Sequence, residues 1–258
     1  MTTAPSLAMA ERSDAAAHLR PFTFQSVACT HPGCVHKLNE DACIDRPHVG
    51  LWAVADGMGG HKAGNIASSA VVEALANVSN FTSAFAFRHD VRSLILSANA
   101  ALFRRSNEEL LETIGSTVVT LLAHGGYYAC IWAGDSRAYV FRDGRLERIT
   151  RDHSLVQEMV DAGTLSDSDA RTRADRHVIT RAVGARSRLD LEGVYGKIEP
   201  GDRYLLCSDG LTVVEEAEIS VAMNSSSLAV VSAVLMRAAI ARGAPDNVTF
   251  VVVEATTR

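Results

Sequence analysis

Short apolar stretches separated by small turn sequences dominate the middle of the chain. Four such stretches follow one another between Ser116 and Thr150. They are joined by three short connections, which are His124-Gly125-Gly126, Gly134-Asp135-Ser136 and Asp143-Gly144. Connections this short, with glycine or aspartate in them, are typical of β-hairpins. The pattern therefore predicts an antiparallel meander across this region.

Strands and helices are predicted on both sides of the meander. Runs rich in β-branched or aromatic residues predict further strands at Phe22–Ala28, Leu51–Ala55, Arg203–Cys207 and Val248–Glu254. Apolar residues recur at the spacing of a helix with one buried face in Ala63–Val78, Val91–Leu111 and Leu228–Ala241. A parallel sheet would need long crossovers, and consecutive hairpins leave no room for them. We therefore expect antiparallel sheets packed between helices.

Length and composition favour one large domain. The chain has 258 residues, of which 47% are hydrophobic, and this is enough to bury a substantial core. No internal repeat or low-complexity linker divides it, so residues 21–258 are expected to form a single domain. Residues 1–20 are rich in alanine and poor in large apolar side chains, which predicts a flexible tail. The polar segment Asp161–Arg176 is expected to lie on the surface.

Charge and cysteine content exclude several classes of function. The chain carries 25 basic and 30 acidic residues, a formal net charge of −5, without a basic run that would follow a nucleic-acid backbone. Its 5 cysteines are irregularly spaced and predict neither a disulfide framework nor a zinc site. No signal peptide and no apolar run of roughly 18 residues is found. We expect a cytoplasmic protein that binds neither nucleic acid nor membranes.

Acidic residues cluster where predicted strands end or turn. The clusters are Asn39-Glu40-Asp41, Asp56-Gly57, Gly134-Asp135-Ser136, Ser208-Asp209-Gly210 and Asp246-Asn247. Carboxylates at strand ends share one rim of a sheet, and several oxygen ligands are what Mg²⁺ and Mn²⁺ require. Glycine at position 57 or 210 would let the backbone approach a metal closely. A single Asp-Gly pair is more often an ordinary turn, so the prediction of a metal site depends on the whole set.

Nine short motifs, taken in order, resemble the metal-dependent protein phosphatases of type 2C, in particular the compact bacterial members. They span nearly the whole chain and are Asn39-Glu40-Asp41-Ala42, Ala55-Asp56-Gly57-Met58-Gly59-Gly60-His61, Gly115-Ser116-Thr117, Gly134-Asp135-Ser136-Arg137-Ala138-Tyr139, Thr150-Arg151-Asp152-His153-Ser154, Ile179-Thr180-Arg181-Ala182-Val183-Gly184, Gly201-Asp202, Leu206-Cys207-Ser208-Asp209-Gly210-Leu211 and Asp246-Asn247-Val248-Thr249. Each motif alone is weak. The order of all nine makes a chance match implausible.

The resemblance implies a fold and a chemistry. The fold is α+β, a four-layer α-β-β-α sandwich with two central antiparallel sheets flanked by helices. The activity is hydrolysis of phosphoserine or phosphothreonine in proteins, by in-line attack of a hydroxide that bridges two divalent cations, Mn or Mg. The partner is a phosphorylated protein, such as the target of a bacterial Ser/Thr kinase or the kinase itself. A monomer is the default expectation.

The resemblance also implies roles for single residues. Asp56 would bridge the two metals, the Gly57 carbonyl would bind one, and Asp209 and Asp246 would complete the other. These three aspartates form the expected catalytic core. Glu40 and Asp41 would hold metal-bound waters. Asp135 would contribute, with Asp209, to a weaker third metal.

One position departs from the family pattern. In the family, the position three residues before Asn39 is an arginine that binds the substrate phosphate. In this chain that position is His36. Histidine holds phosphate only when protonated and lacks the planar fork of arginine. We expect a phosphate affinity that is weaker and depends more on pH. The family's flap corresponds to a segment at about 155–182, beside the active site.

Two other functions compete with this reading. A regulatory binding module could keep the fold without turnover if His36 no longer held phosphate. The full set of carboxylates disfavours that alternative. A two-metal phosphodiesterase would share the metal chemistry, but the sequence offers no basic groove for nucleic acid.

Overall fold

Two antiparallel β-sheets lie face to face and are covered on their outer faces by helices. The computed structural model describes residues 22–59, 63–79, 81–108, 114–170 and 172–257. The predicted tail at residues 1–20 lies outside these ranges. The four-layer α-β-β-α architecture and the α+β class are confirmed.

The strands and helices of the described residues are numbered in chain order. The strands are β1 (Phe22–His31), β2 (Asp41–Arg46), β3 (Leu51–Met58), β4 (Gly115–Ser116), β5 (Val118–His124), β6 (Tyr127–Ala133), β7 (Arg137–Arg142), β8 (Arg145–Arg148), β9 (Glu192–Lys197), β10 (Arg203–Cys207) and β11 (Val248–Thr257). The helices are α1 (Ala63–Ala76), α2 (Ala84–Glu108), α3 (Leu155–Asp161), α4 (Asp167–Ala170), α5 (Glu216–Met223) and α6 (Leu228–Ala241). A 3₁₀ turn occupies Asp209–Val213.

Each sheet is assembled from strands that are distant in the sequence. One sheet has the order β1-β11-β10-β7-β8, and the other has the order β2-β3-β5-β6-β9, with β4 paired to β3. Every pairing between these strands is antiparallel. The predicted strands and helices are thus present, with the second helix beginning at Ala84 rather than Val91. The Ser83 hydroxyl accepts a hydrogen bond from the Ala86 amide and caps this earlier start.

The predicted continuous meander is wrong at one connection. Gly134-Asp135-Ser136 joins β6 of one sheet to β7 of the other, so it crosses between the sheets instead of closing a hairpin. The flanking connections at 125–126 and 143–144 do close hairpins, one in each sheet. Gly134 has a φ of +107°, a conformation that favours glycine, and the crossing turn uses it to leave the first sheet.

Three apolar interfaces hold the layers together. Helices α1 and α2 pack on β3 and β5 through residues such as Val71, Ile95 and Leu122. Trp52, Tyr204 and other buried side chains fill the space between the sheets. A third cluster joins helices α5 and α6 to β10 and β11. Since the central strands β3, β5, β10 and β11 are buried over most of their length, the register of both sheets is fixed and the strand ends form a stable rim.

None of the helices in the described ranges is long and apolar enough to cross a lipid bilayer.

Candidate active site

Five aspartates gather at one end of the stacked sheets. Asp41 begins β2 and is paired in register with Asp56, near the end of β3. Asp135 lies in the crossing turn, Asp209 follows β10, and Asp246 precedes β11. Because β10 and β11 are antiparallel neighbours, the end of one and the start of the other meet at the same rim. We call these five residues the acidic cluster.

An open cavity of about 1030 Å³ lies over the acidic cluster. Of the residues singled out in the sequence, the cavity is lined by His36, Glu40, Asp56, Gly57, Asp135, Asp209 and Asp246. Asp41 is not part of this lining. It stands behind it, where the Ser208 hydroxyl donates a hydrogen bond to Asp41 Oδ2 at 2.8 Å. The structure therefore brings the predicted residues to one place, with Asp41 as a buried supporting group.

The backbone of Asp56 is held from the neighbouring chain segment 115–117. The Asp56 amide donates to Thr117 Oγ1 at 3.0 Å, and the Asp56 carbonyl accepts from the Thr117 amide at 2.8 Å. The Ser116 hydroxyl donates to the same carbonyl at 3.0 Å. The Gly115-Ser116-Thr117 motif thus fixes the position from which Asp56 projects.

Glycine is required at positions 57 and 210 by close backbone packing. A Cβ atom on Gly57 would lie 2.0 Å from the Gly64 carbonyl oxygen and 2.6 Å from that of Glu40. A Cβ on Gly210 would lie 2.0 Å from the Asn247 carbonyl oxygen. These distances are shorter than any non-bonded contact allows, so only glycine lets the acidic segments meet.

Asn247 connects the loop that carries His36 to the start of β11. Its side-chain oxygen accepts from the Glu40 amide at 2.7 Å, while its side-chain nitrogen donates to the carbonyls of Pro32 and Leu38. In the sequence, Asn247 stands out only as the neighbour of Asp246. Its part in positioning Glu40 depends on contacts between residues about 200 positions apart, and no local pattern contains them.

Burial and mutual repulsion disturb the ionisation of the acidic cluster. Burial, followed by the charges of Asp41 and Asp209, holds the pKa of Asp56 well above its usual range. Burial raises the pKa of Asp41 to about 6, although hydrogen bonds from Thr249 and Ser208 oppose it. Burial and the charge of Asp209 raise the pKa of Asp135 to about 7. Several negative charges are thus confined where water solvates them poorly.

Two histidines face the acidic cluster from the cavity wall. His177 Nδ1 lies 3.2 Å from Asp209 Oδ2, and this hydrogen bond raises the pKa of His177. His36 Nε2 lies 3.7 Å from Asp246 Oδ1, at the exposed edge of the cavity. His177 was missed by sequence reasoning, because it lies in the polar flap segment and belongs to none of the family's motifs.

The chemistry of the acidic cluster fits a hard divalent cation. Asp41 Oδ1 and Asp209 Oδ1 are buried and have no hydrogen-bond partner among the described residues. Carboxylate oxygens are the ligands that Mg²⁺ and Mn²⁺ prefer. A cation would also offset the repulsion between the carboxylates and bind the oxygens that accept no hydrogen bond. Within the part of the chain that the structure describes, no three His, Cys, Asp or Glu side chains are arranged as they stand to hold a metal ion. The oxygen donors of the acidic cluster are of the kind that fits such an ion.

Arg137 makes a structural ion pair. Its guanidinium pairs with Asp152, with Nη2 at 2.8 Å from Oδ2. Arg148 contacts the same carboxylate. This arrangement fixes β7 and β8 to the segment that begins the flap.

Residues 35–242 match the family model of protein phosphatase 2C, and the chain belongs to this family. The serine/threonine protein phosphatase PstP of Mycobacterium tuberculosis is 35% identical over 224 residues, which are 86% of this chain and 43% of the relative. The chain therefore spans less than half the length of that relative. The serine/threonine phosphatase Stp of Listeria welshimeri is 32% identical over 87% of this chain and 93% of its own length.

Solved structures show the same fold. PppA, described as a key regulatory component of the T6SS in Pseudomonas aeruginosa, superposes with a TM-score of 0.85 at 39% identity, over 90% of this chain and 98% of that one. The catalytic domain of the serine/threonine phosphatase PstP, in complex with two manganese ions, superposes with a TM-score of 0.82 at 33% identity, over 92% and 100% of the two chains.

Proposed function

We propose that this chain is a protein serine/threonine phosphatase that depends on divalent metal ions. The observation that carries the proposal is the acidic cluster, a set of mutually repelling carboxylates, most of them buried or half-buried, at one open cavity. Such a cluster is costly to maintain unless cations neutralise it. Named serine/threonine phosphatases among the relatives support the assignment.

The proposed ligands are the residues that line the cavity floor. Asp56, the Gly57 carbonyl, Asp209 and Asp246 would hold two divalent cations, with Glu40 and Asp41 supporting coordinated water and Asp135 contributing to a weaker third site. Bound there, the ions would supply an activated water and neutralise charge on the phosphoryl group. The two manganese ions of the PstP structure support manganese, and magnesium has the same ligand preference.

The protein's own residues would prepare the site before the phosphate arrives. Thr117 and Ser116 hold the backbone of Asp56, and Asn247 holds that of Glu40. These hydrogen bonds hold the carboxylates of Asp56 and Glu40 near their working positions before the reaction begins. Little reorganisation of the site is then needed during the reaction. The cavity is also lined by apolar side chains of the flap, such as Val156 and Val160. The cavity is open, which suits a phosphate carried on a protein surface.

The proposed substrates are proteins phosphorylated by a serine/threonine kinase, or the kinase itself. A cytoplasmic location and a monomeric state stay predictions.

The function is tested by phosphate release from matched peptides. We expect hydrolysis of phosphothreonine and phosphoserine peptides with Mn²⁺, at least about 100-fold slower hydrolysis of the phosphotyrosine analogue, and loss of activity with a chelator. A folded protein that binds the peptides but releases no phosphate at any Mn²⁺ concentration would instead support the regulatory binding module.

His36 gives a second prediction, because it occupies the place of the family's phosphate-binding arginine. His36→Arg is expected to lower KM roughly three- to tenfold, since a guanidinium binds phosphate through two parallel hydrogen bonds. His36→Ala should raise KM at pH 6 and leave kcat nearly unchanged. The measurement is KM against pH from about 6 to 8.5.

The side chain of His36 is 53% exposed, so neither substitution should disturb folding. A wild-type KM that is flat over this range, together with an unchanged KM in His36→Ala, would show that His36 does not hold phosphate.

A further inference from the structure

His153 is a buried histidine that the proposed chemistry does not use. Only 5% of it is exposed, and its ring lies parallel to that of Trp132 with the ring centroids 5.9 Å apart. In the sequence, the segment around it reads as a turn that caps a helix. Ser154 is indeed the cap of α3, accepting a hydrogen bond from the Gln157 amide. The buried ring of His153 has no part in that cap.

One edge of the ring holds the turn that carries Asp135. The Gly134 amide donates to His153 Nδ1 at 3.2 Å, and the His153 amide donates to the Gly134 carbonyl at 2.9 Å. On the other side of this turn, a Cβ on Gly134 would lie 2.6 Å from Thr117 Cγ2. The turn is therefore clamped between Thr117 and His153, directly before Asp135.

The opposite edge of the ring faces the end of the flap. His153 Nε2 lies 3.4 Å from Glu192 Oε1 and 3.2 Å from Arg181 Nη1, and Arg181 in turn pairs with Glu192 at 3.0 Å. The His153 carbonyl also accepts from the Thr180 amide at 2.8 Å. The same residue thus contacts both the Asp135 turn and the last residues of the flap.

These contacts determine the protonation of the ring. Because Nδ1 accepts a hydrogen bond from a backbone amide, the proton of the neutral ring lies on Nε2, where Glu192 can accept it. Arg181 is also a donor, so with this tautomer it hydrogen-bonds to Glu192 and not to Nε2. Burial, and then the charge of Arg181, lowers the pKa of His153, while Glu192 and Asp152 oppose this shift. A neutral ring with an unprotonated Nδ1 is consistent with both observations.

We propose that His153 is a positioning residue that links the end of the flap to the Asp135 turn and keeps Asp135 aimed into the cavity. The proposal rests on the proposed function in one respect, the role of Asp135 as a secondary metal ligand. The link itself is independent of catalysis, because its contacts are made between groups of the protein alone.

The test compares two substitutions of similar polarity. His153→Asn places an amide oxygen close to the position of Nδ1 and can still accept from Gly134, whereas His153→Gln extends toward the position of Nε2 and cannot. Both lose the stacking on Trp132, so the difference between them isolates the bond to Gly134. The measurements are hydrogen exchange of the Gly134 amide in the metal-free protein and equilibrium dialysis with Mn²⁺.

We expect His153→Gln to speed exchange at Gly134 about tenfold or more relative to His153→Asn, and to weaken the lowest-affinity Mn²⁺ site severalfold. Equal exchange in the two variants would overturn the link. Faster exchange with unchanged Mn²⁺ binding would overturn the role toward Asp135 while leaving the phosphatase assignment intact.

A spectroscopic measurement on the unaltered protein does not depend on either variant folding. The ring ¹⁵N shifts of His153 should show an unprotonated Nδ1 and a protonated Nε2 near neutral pH. A proton on Nδ1 would contradict the proposal.

Discussion

Replacing Asp56 with asparagine is expected to lower the rate of phosphopeptide hydrolysis by about 10³-fold or more and to raise the unfolding temperature of the metal-free protein. The rate should fall because a proposed metal ligand loses its charge, and charge placed at the reacting phosphoryl group makes a large contribution to such reactions. Stability should rise because asparagine has the same shape but removes a buried charge that repels Asp41, Asp209 and Asp135. Phosphate release and thermal unfolding measure the two effects.

Asp167→Asn is the matched control for this substitution. Asp167 lines the same cavity, on the short helix α4, but the charges that act most strongly on Asp56 are those of other aspartates. The control should change neither the rate nor the unfolding temperature by a comparable amount. An Asp56→Asn protein that keeps near-normal activity with Mn²⁺ would show that the reaction does not use the acidic cluster.

The second large effect is a loss of stability of the metal-free protein as the pH rises from about 4 to about 7. The pKa of Asp41 is about 6 and that of Asp135 is about 7 in the folded protein, against 3.8 ordinarily. In this window the unfolded chain has released these protons and the folded protein still binds them, so the free energy of unfolding falls with pH. Below this pH window the two carboxyl groups are protonated in both the folded and the unfolded protein. Above the window both groups are ionised, and the whole loss of stability is present.

The size of this effect is substantial for a single domain. Each pH unit of separation between folded and unfolded pKa is worth about 1.4 kcal/mol, so the change from 3.8 to about 6 at Asp41 amounts to roughly 3 kcal/mol. Denaturant unfolding in the presence of a chelator, at several pH values, measures it. Stability that rises steadily from pH 4 to pH 7 would contradict the assigned pKa directions.

The strands and the shared position of the acidic residues could be predicted from the sequence, because both produce a recognisable local pattern of residues. Alternating apolar runs broken by Gly/Asp turns predicted the antiparallel strands, and carboxylates at their ends predicted a common rim. The crossing at Gly134-Asp135-Ser136 was not accessible. Its composition is that of a hairpin turn, and only packing of the two sheets against each other decides that β6 and β7 separate.

The residues that support the site leave no comparable pattern. Ser208 donates to Asp41 across 167 positions of sequence, and Asn247 reaches Glu40 across 207. In the sequence, His153 looks like an ordinary residue of a helix-capping turn. Only the structure shows that its ring accepts a hydrogen bond from the Gly134 amide. The acidic residues of the site can be predicted from the sequence alone, whereas the residues that position them can be identified only once the fold is known.

The most direct test of the metal centre is the rise in unfolding temperature that Mn²⁺ causes at pH 5 and at pH 7.5. We expect a rise of roughly 6 °C or more at pH 7.5, which lies above the pKa values of Asp41 and Asp135, and a much smaller one at pH 5, where protons compete for the same oxygens. Asp56→Asn should show little of this rise at either pH. Equal rises at the two pH values, or an undiminished rise in Asp56→Asn, would contradict the assignment of the acidic cluster as the metal site.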